Sequence, residues 1–230
     1  MKKALIIGKN SDIASTLIGK LSLNYDIYSS TRDLSLSDRK VVNIDLKEQA
    51  TFFTALENLN KEKISFDLVL FLAARTTTVG KTVTLFESSI DTTEFLEYLE
   101  INCISPLKLF EGLHLRNMLK NDCIVVFFSS LAGSINMRGK LPHQKKGGNL
   151  AYRVSKAALN MGVKNVAFDL EDTGMTIISL HPGWVKTKSG GENADLTIDF
   201  STESICKLLE TLDKRSSGKF FNYDGTQIDW

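Results

Sequence analysis

A chain of 230 residues with 43% hydrophobic content and a formal net charge of +1 can bury one substantial core, and nothing in its length demands a second domain. The near balance of 28 basic and 27 acidic side chains excludes a broad electrostatic footprint for nucleic acid or an acidic membrane and points to small neutral partners. No segment approaches the roughly 18 consecutive apolar residues of a spanning helix, and Cys103, Cys123 and Cys206 lack metal-ligand spacing, so the sequence predicts buried thiols in the cytoplasm and no metal site.

In chain order, Met1-Lys2-Lys3 opens like a signal peptide, but its apolar run ends after Ile7 at Gly8-Lys9 and reads as a strand. Further strands are expected at Asp26 to Ser29, Lys40 to Ile44, Asp67 to Leu72, Cys123 to Ser129, Thr176 to Leu180 and Lys219 to Asn222. Between them Ile13, Leu17, Ile18 and Leu21 recur at helical spacing, as do Phe52, Phe53, Leu56 and Leu59. A third helix is predicted over Thr93 to Met118, broken near Asn102 or Ser105-Pro106, and a fourth from about Asn149 to Asp172. Its small or flexible residues, Gly162 among them, suit either an oligomer face or internal packing. Strands alternating with helices predict an α/β fold: one doubly wound, Rossmann-type parallel sheet of about seven strands, in a single domain over 1–230, with helices on both faces.

Two segments lack periodicity. Ser134 to Gly148 carries Arg138, Lys140, Lys145 and Lys146 around Pro142 and three glycines, and reads as a substrate-side loop or a solvated insertion. Residues 186–195, with Gly190-Gly191 before the last helix, are placed as a substrate lid.

Ligands of an open parallel sheet bind beyond the carboxyl ends of its strands. The first strand ends in Gly8-Lys9-Asn10-Ser11-Asp12-Ile13-Ala14, a turn into a helix whose exposed N–H groups could hold a diphosphate; a plain β-to-α turn is the alternative. After the second strand, Arg32 suits a 2′-phosphate and favours NADP(H) over NAD(H), against a solvated arginine. Tyr152 and Lys156 stand four residues apart on one helix face, so the ammonium is expected to lower the phenol's pKa and ready it as a general acid or base. By chance alone about half an occurrence of that spacing is expected in this composition, so its context decides.

That context is an ordered set: Phe127 to Ser134, then Tyr152 to Lys156, then Leu180-His181-Pro182-Gly183-Trp184-Val185-Lys186-Thr187. In this order the motifs resemble the short-chain dehydrogenases/reductases over nearly the whole chain, and Ala151 to Met161, His181 to Thr187 and Phe220 to Thr226 look like the C-factor and sniffer-type carbonyl reductase branch. The resemblance implies that Ser130 polarises a substrate carbonyl, Tyr152 protonates the nascent alkoxide, and Lys156 binds the nicotinamide ribose and tunes the tyrosine. It implies that Asn102 supports a water relay to the lysine. Pro182, Gly183, Val185 and Thr187 would contact the nicotinamide carboxamide, Asp45 would lie near adenine, and a homodimer or homotetramer would form through the tyrosine-bearing helix.

Departures from the family pattern are specific. Only Gly8 of its glycine motif is kept, and Asp12 brings a carboxylate to the diphosphate turn or else caps the helix in its place. The strand motif with two asparagines reads Phe71-Leu72-Ala73-Ala74, leaving backbone groups near Ala73 to serve. The interval from Ser130 to Tyr152 is longer than the family's, through the basic 134–148 segment. The expected function is an NADP-preferring oxidoreductase acting on a small carbonyl or alcohol, with no nucleic-acid or membrane partner. The alternatives are a weakly catalytic or non-catalytic nucleotide-binding regulator of the C-factor type, and a structural interaction protein on the same scaffold.

Overall fold

The computed structural model describes residues 1–36, 39–76, 89–140 and 148–230. Seven parallel strands, β1 (Lys2–Ile7), β2 (Tyr25–Thr31), β3 (Val41–Asn43), β4 (Phe66–Phe71), β5 (Leu119–Phe128), β6 (Thr176–His181) and β7 (Phe220–Asn222), pair in the order β3-β2-β1-β4-β5-β6-β7. All seven expected strands are present. Strand order reverses between β1 and β4, where Ile6 stands beside Leu70 and Ile7 beside Phe71, so the crevice for a ligand opens beyond these two carboxyl ends.

Alternation of side chains divides the core into two layers. Leu5, Ile7, Val69, Phe71, Val125, Phe127 and Ile177 face one cluster, packed under α2 (Gln49–Lys61), α4 (Ser105–Leu115) and α5 (Leu150–Asp169). Ala4, Ile6, Leu68, Leu70, Val126, Phe128, Ile178 and Leu180 face the other, under α1 (Asp12–Leu21) and α6 (Ile198–Thr211). No described helix is long and apolar enough to cross a membrane.

The expected long third helix is two helices. After α3 (Thr92–Leu99) the chain runs through a π-helical turn, Glu100–Ile104, into α4, and the Ser105 N–H reaches back five residues to the Glu100 carbonyl. Pro106 has no N–H to give the Asn102 carbonyl in α-helical register, so the turn widens around Asn102. In α5 a Cβ at Gly162 would lie 2.6 Å from Leu107 Cδ1, which gives that glycine an internal packing role against α4. Of the basic segment, Ser134 to Lys140 forms turns pinned to residues 229 and 230: Ser134 Oγ donates to the Asp229 carbonyl at 2.5 Å, and the Asn136 N–H donates to the Trp230 carbonyl at 3.0 Å. Residues 141–147, with Pro142, Lys145 and Lys146, lie outside the described residues.

Candidate active site

At the β1–α1 turn, Gly8 holds φ +98°, and a Cβ there would come within 2.8 Å of the Ala73 backbone. Ala73 is drawn in because its N–H and that of Leu72 both donate to the Ile7 carbonyl. Gly8 is therefore required twice, by dihedral and by space. Gly8→Ala is expected to cost about 1–3 kcal/mol, read from urea unfolding; an unchanged midpoint would show that the turn can relax.

The turn is latched to β2, with the Gly8 N–H donating to Ser30 Oγ at 2.9 Å and Asn10 Nδ2 to Thr31 Oγ1 at 3.3 Å. Ser11 caps α1, its hydroxyl accepting from the Ala14 N–H at 3.1 Å. This corrects the expectation that Asp12 could cap: in the first turn of the helix its carboxylate instead accepts from the Lys188 N–H at 3.4 Å. The N–H groups of Asp12 and Ile13 have no protein acceptor among the described residues, as the first turn of a helix dictates.

Arg32 is exposed past β2 and joins no ion pair among the described residues. Beside it the Asp33 carboxylate is folded onto Ser35, accepting from its N–H and hydroxyl, which holds it below the usual carboxylate range. Asp45, beyond β3, accepts from the Lys47 N–H at 3.0 Å in a local turn.

The carboxyl end of β5 gathers the expected catalytic residues. Ser130 begins a short 3₁₀ turn, its hydroxyl accepting from the Ala132 N–H at 3.1 Å and lying near enough to the Tyr152 hydroxyl to draw its pKa down. Lys156, 3% exposed, donates from Nζ to the Phe128 carbonyl at 2.8 Å. Burial pushes its pKa down to about 8. The same effect overturns the expected tuning: burial raises the Tyr152 pKa, with the Ser130 hydroxyl opposing it. The lysine is turned to the Phe128 carbonyl, 6.0 Å from the phenol ring centroid, so desolvation dominates.

Asn102, 1% exposed in the π-helical turn, is fully occupied by protein. Its Oδ1 accepts from the Arg75 N–H at 2.7 Å, and its Nδ2 donates to the Arg75 carbonyl and to Ser155 Oγ, both at 3.0 Å. Ser155 Oγ in turn donates to the Tyr152 carbonyl. The side chain thus fixes the segment after β4 against α5 without bonding Lys156 directly.

Sequence reasoning missed a second phenol. Tyr98 of α3, 2% exposed, lies edge-to-face on Tyr152 with ring centroids 6.3 Å apart. Its hydroxyl donates to the Thr76 carbonyl at 3.2 Å and accepts from Asn149 Nδ2 at 2.9 Å. The Arg75 guanidinium sits 4.6 Å over its ring, paired with Glu94 and Glu97. Asn149 is also the N-cap of α5, its Oδ1 accepting from the Tyr152 N–H at 2.8 Å. An asparagine before a helical run signals the cap, but nothing in the pattern shows its second partner.

At the end of β6, His181 carries a buried Nδ1 with no partner among the described residues, and burial depresses its pKa to about 4. Ser201 Oγ donates to the Pro182 carbonyl at 2.6 Å. Gly183 has φ +87°, and a Cβ there would strike Leu196. Val185 bridges to Leu196, and Thr187 Oγ1 donates to the Val185 carbonyl while accepting from the Gly190 N–H. The 186–195 segment reaches the Asp12 turn through Lys188 and the segment after β4 through Ser189, whose hydroxyl is 2.9 Å from Thr76 Oγ1.

A family model described as enoyl-(acyl carrier protein) reductase matches residues 24–205. The C-signal of Myxococcus xanthus is 42% identical over 92 residues, covering 40% of this chain and 55% of that protein. The chain spans about half the length of the first relatives it matches. Among solved structures, the carbonyl reductase Sniffer of D. melanogaster superposes with a TM-score of 0.85 at 25% identity over 100% of both chains. The NADPH-bound carbonyl reductase from chicken fatty liver gives 0.82 at 24% identity, over 100% of this chain and 99% of that one. A family match across most of the residues and a fold shared along the full length lead to one assignment: the chain belongs to the short-chain dehydrogenase/reductase family.

Proposed function

We propose that the protein is an NADP(H)-preferring reductase that transfers hydride to a ketone, aldehyde or quinone-like carbonyl, with Tyr152 as proton donor. The observation that carries this reading is the Ser130–Tyr152 hydroxyl pair beside the buried ammonium of Lys156.

A dinucleotide suits the residues present. The glycine turn leaves no Cβ between β1 and Ala73, the α1 N–H groups of Asp12 and Ile13 suit phosphate oxygens, and Arg32 suits a 2′-phosphate. Lys156 Nζ has one protein acceptor, Phe128, among the described residues, and an ammonium has three protons to donate, so two remain for ribose hydroxyls. Bound NADPH supplies the hydride. The Ser130 hydroxyl donates to the substrate carbonyl oxygen and stabilises the charge that develops there. The Tyr152 hydroxyl gives that oxygen its proton, and the Lys156 ammonium offsets the phenolate left behind. A phenol whose pKa is raised by burial stays protonated at neutral pH, which favours the acid role and hence the reductive direction.

The test is to titrate NADPH and NADH by nicotinamide fluorescence and to follow their oxidation over a panel of carbonyl compounds. Turnover with NADPH supports the reading. The Asp12 carboxylate in the diphosphate turn, together with the likeness to the C-signal, favours a second reading, a nucleotide-binding regulator, which binding without turnover on any carbonyl would select. Arg32→Ala is expected to weaken NADPH about 10-fold, the loss of one charge-assisted contact, and NADH much less. Equal losses for both cofactors would overturn the role of Arg32.

A further inference from the structure

The chain after β7 doubles back to the turn that begins at Ser130. The Asn222 N–H donates to the Thr226 carbonyl at 2.8 Å, Phe221 bridges antiparallel to Gln227, and the Ile228 N–H donates to the Phe220 carbonyl at 2.8 Å. The Trp230 ring stacks on Phe220 with centroids 5.6 Å apart and planes 20° from parallel. Phe220 is fully buried and pairs with Ser179 of β6, so the stack holds the returning chain to the sheet. Three bonds then join it to residues 134–136: Ser134 Oγ donates to the Asp229 carbonyl at 2.5 Å, the Asn136 N–H to the Trp230 carbonyl at 3.0 Å, and Asn136 Nδ2 to Asp229 Oδ2 at 2.8 Å. The Ser134 hydroxyl, on a residue 3% exposed, also accepts from the Met137 N–H at 3.1 Å. Between Ser134 and Ser130 lies only the 3₁₀ turn Leu131–Gly133, in which the Gly133 N–H donates to the Ser130 carbonyl at 2.8 Å and the Ser134 N–H to the Leu131 carbonyl at 3.2 Å. The turn also rests on α5. A Cβ at Gly133 would come within 2.7 Å of the Lys156 carbonyl carbon, and Asn160 Nδ2 donates to the Gly133 carbonyl at 3.4 Å.

We propose that Asp229 and Trp230 are positioning residues for carbonyl reduction, holding the Leu131–Gly133 turn through Ser134 so that the Ser130 hydroxyl stays aimed at the substrate oxygen. This rests on the reductase reading given above. Ser129 donates its N–H to the Leu180 carbonyl at 2.7 Å, and Ser130 stands one residue beyond that sheet bond, on a turn too short to be rigid alone. A donor to a developing oxyanion works only where it is already aimed, and a displacement of about 1 Å can cost about 10²-fold in rate. Clamped between the helix of Lys156 and a chain stacked on β7, the turn takes its rigidity from both.

Ser134→Ala and Trp230→Leu each cut the link and leave Ser130 in the chain. With NADPH and any carbonyl compound of the panel that is reduced, Ser134→Ala should slow single-turnover hydride transfer about 10-fold, the effect of a misplaced donor, and leave the NADPH dissociation constant unchanged. Trp230→Leu should slow the same step by a smaller factor. Ser130→Ala removes the donor itself, a loss of about 10²- to 10³-fold. In that background Ser134→Ala should cost less than about 2-fold more, because the hydroxyl it would misplace is gone. A full loss repeated in the Ser130→Ala background, or no loss in Ser134→Ala alone, overturns the proposal and leaves the reductase reading intact; no loss in Trp230→Leu overturns the part given to Trp230. If the wild type reduces no carbonyl compound, that reading fails separately and the clamp is judged by amide hydrogen exchange. The Ala132 and Gly133 amides, bonded to the Ser130 hydroxyl and carbonyl, should exchange at least about 10-fold faster in Ser134→Ala while the Val126 amide of β5 keeps its wild-type rate. Unchanged exchange in the turn, or equal acceleration at Val126, overturns the clamp.

Discussion

Tyr152→Phe is expected to lower NADPH-dependent carbonyl reduction by about 10²- to 10⁴-fold, the range over which a positioned general acid contributes. The substitution removes one oxygen and keeps the ring, so the edge-to-face contact with Tyr98 at 6.3 Å persists and the helix start remains capped by Asn149. Only the interaction of the hydroxyl with Ser130 is lost among the described residues. The melting temperature should accordingly move little while single-turnover hydride transfer slows, and stopped-flow loss of nicotinamide absorbance measures that step. A variant that keeps more than a tenth of the wild-type rate would mean that the proton comes from another group, and Tyr152 would be reduced to lining the pocket.

Lys156→Met should move stability and activity in opposite directions. The lysine is 3% exposed, with its pKa pushed down by burial to about 8 from 10.5. A lysine whose folded pKa lies below its unfolded value destabilises the fold wherever it is charged. The cost is fully present below pH 8 and fades as pH rises towards 10.5, because the unfolded chain binds more protons in that window. The shift corresponds to about 3 kcal/mol at pH 7, against which the lost bond to the Phe128 carbonyl counts for about 1–2 kcal/mol. A methionine of similar length fills the same space, so the ligand-free variant should be more stable by about 1–2 kcal/mol at pH 7. The difference should vanish or reverse by pH 10. Turnover should fall at least about 10²-fold, the low end for loss of an electrostatic contact at the reacting oxygen. Denaturant unfolding at the two pH values checks the first expectation; a variant less stable at pH 7 would mean that the ammonium is better solvated than its burial implies.

The strands were legible because each buried run is short and continuous, as at Leu68 to Phe71, where both faces are covered and no alternation survives. Strand β5 is the exception at its start. Residues 119–122 are Leu-Lys-Asn-Asp, polar enough to read as a loop, yet Leu119 pairs with Phe66 before the register shifts and Ile124 pairs with Leu68. The break around Asn102 was legible because proline lacks a donor. Ser130, Tyr152 and Lys156 were legible as types at spacings, and the fold brings them together. What composition and spacing could not carry was direction. Whether Lys156 points to the phenol or to the Phe128 carbonyl, and whether Asp12 turns to its own helix or to Lys188, depends on neighbours brought in from more than 20 residues away. Tyr98 was hidden for a similar reason, being joined to Asn149 across 51 positions.

The planar amide of Asn149 has a mechanical consequence. One end of it holds the backbone of Tyr152 and the other holds the hydroxyl of Tyr98, and the two ends cannot move independently. The edge-to-face pair is thereby spanned by one planar group, alongside the Thr76 and Arg75 contacts of Tyr98. The start of α5 and the buried face of α3 are thus tied at the tyrosine pair by one side chain, which holds the first turn of α5 in place before any ligand arrives.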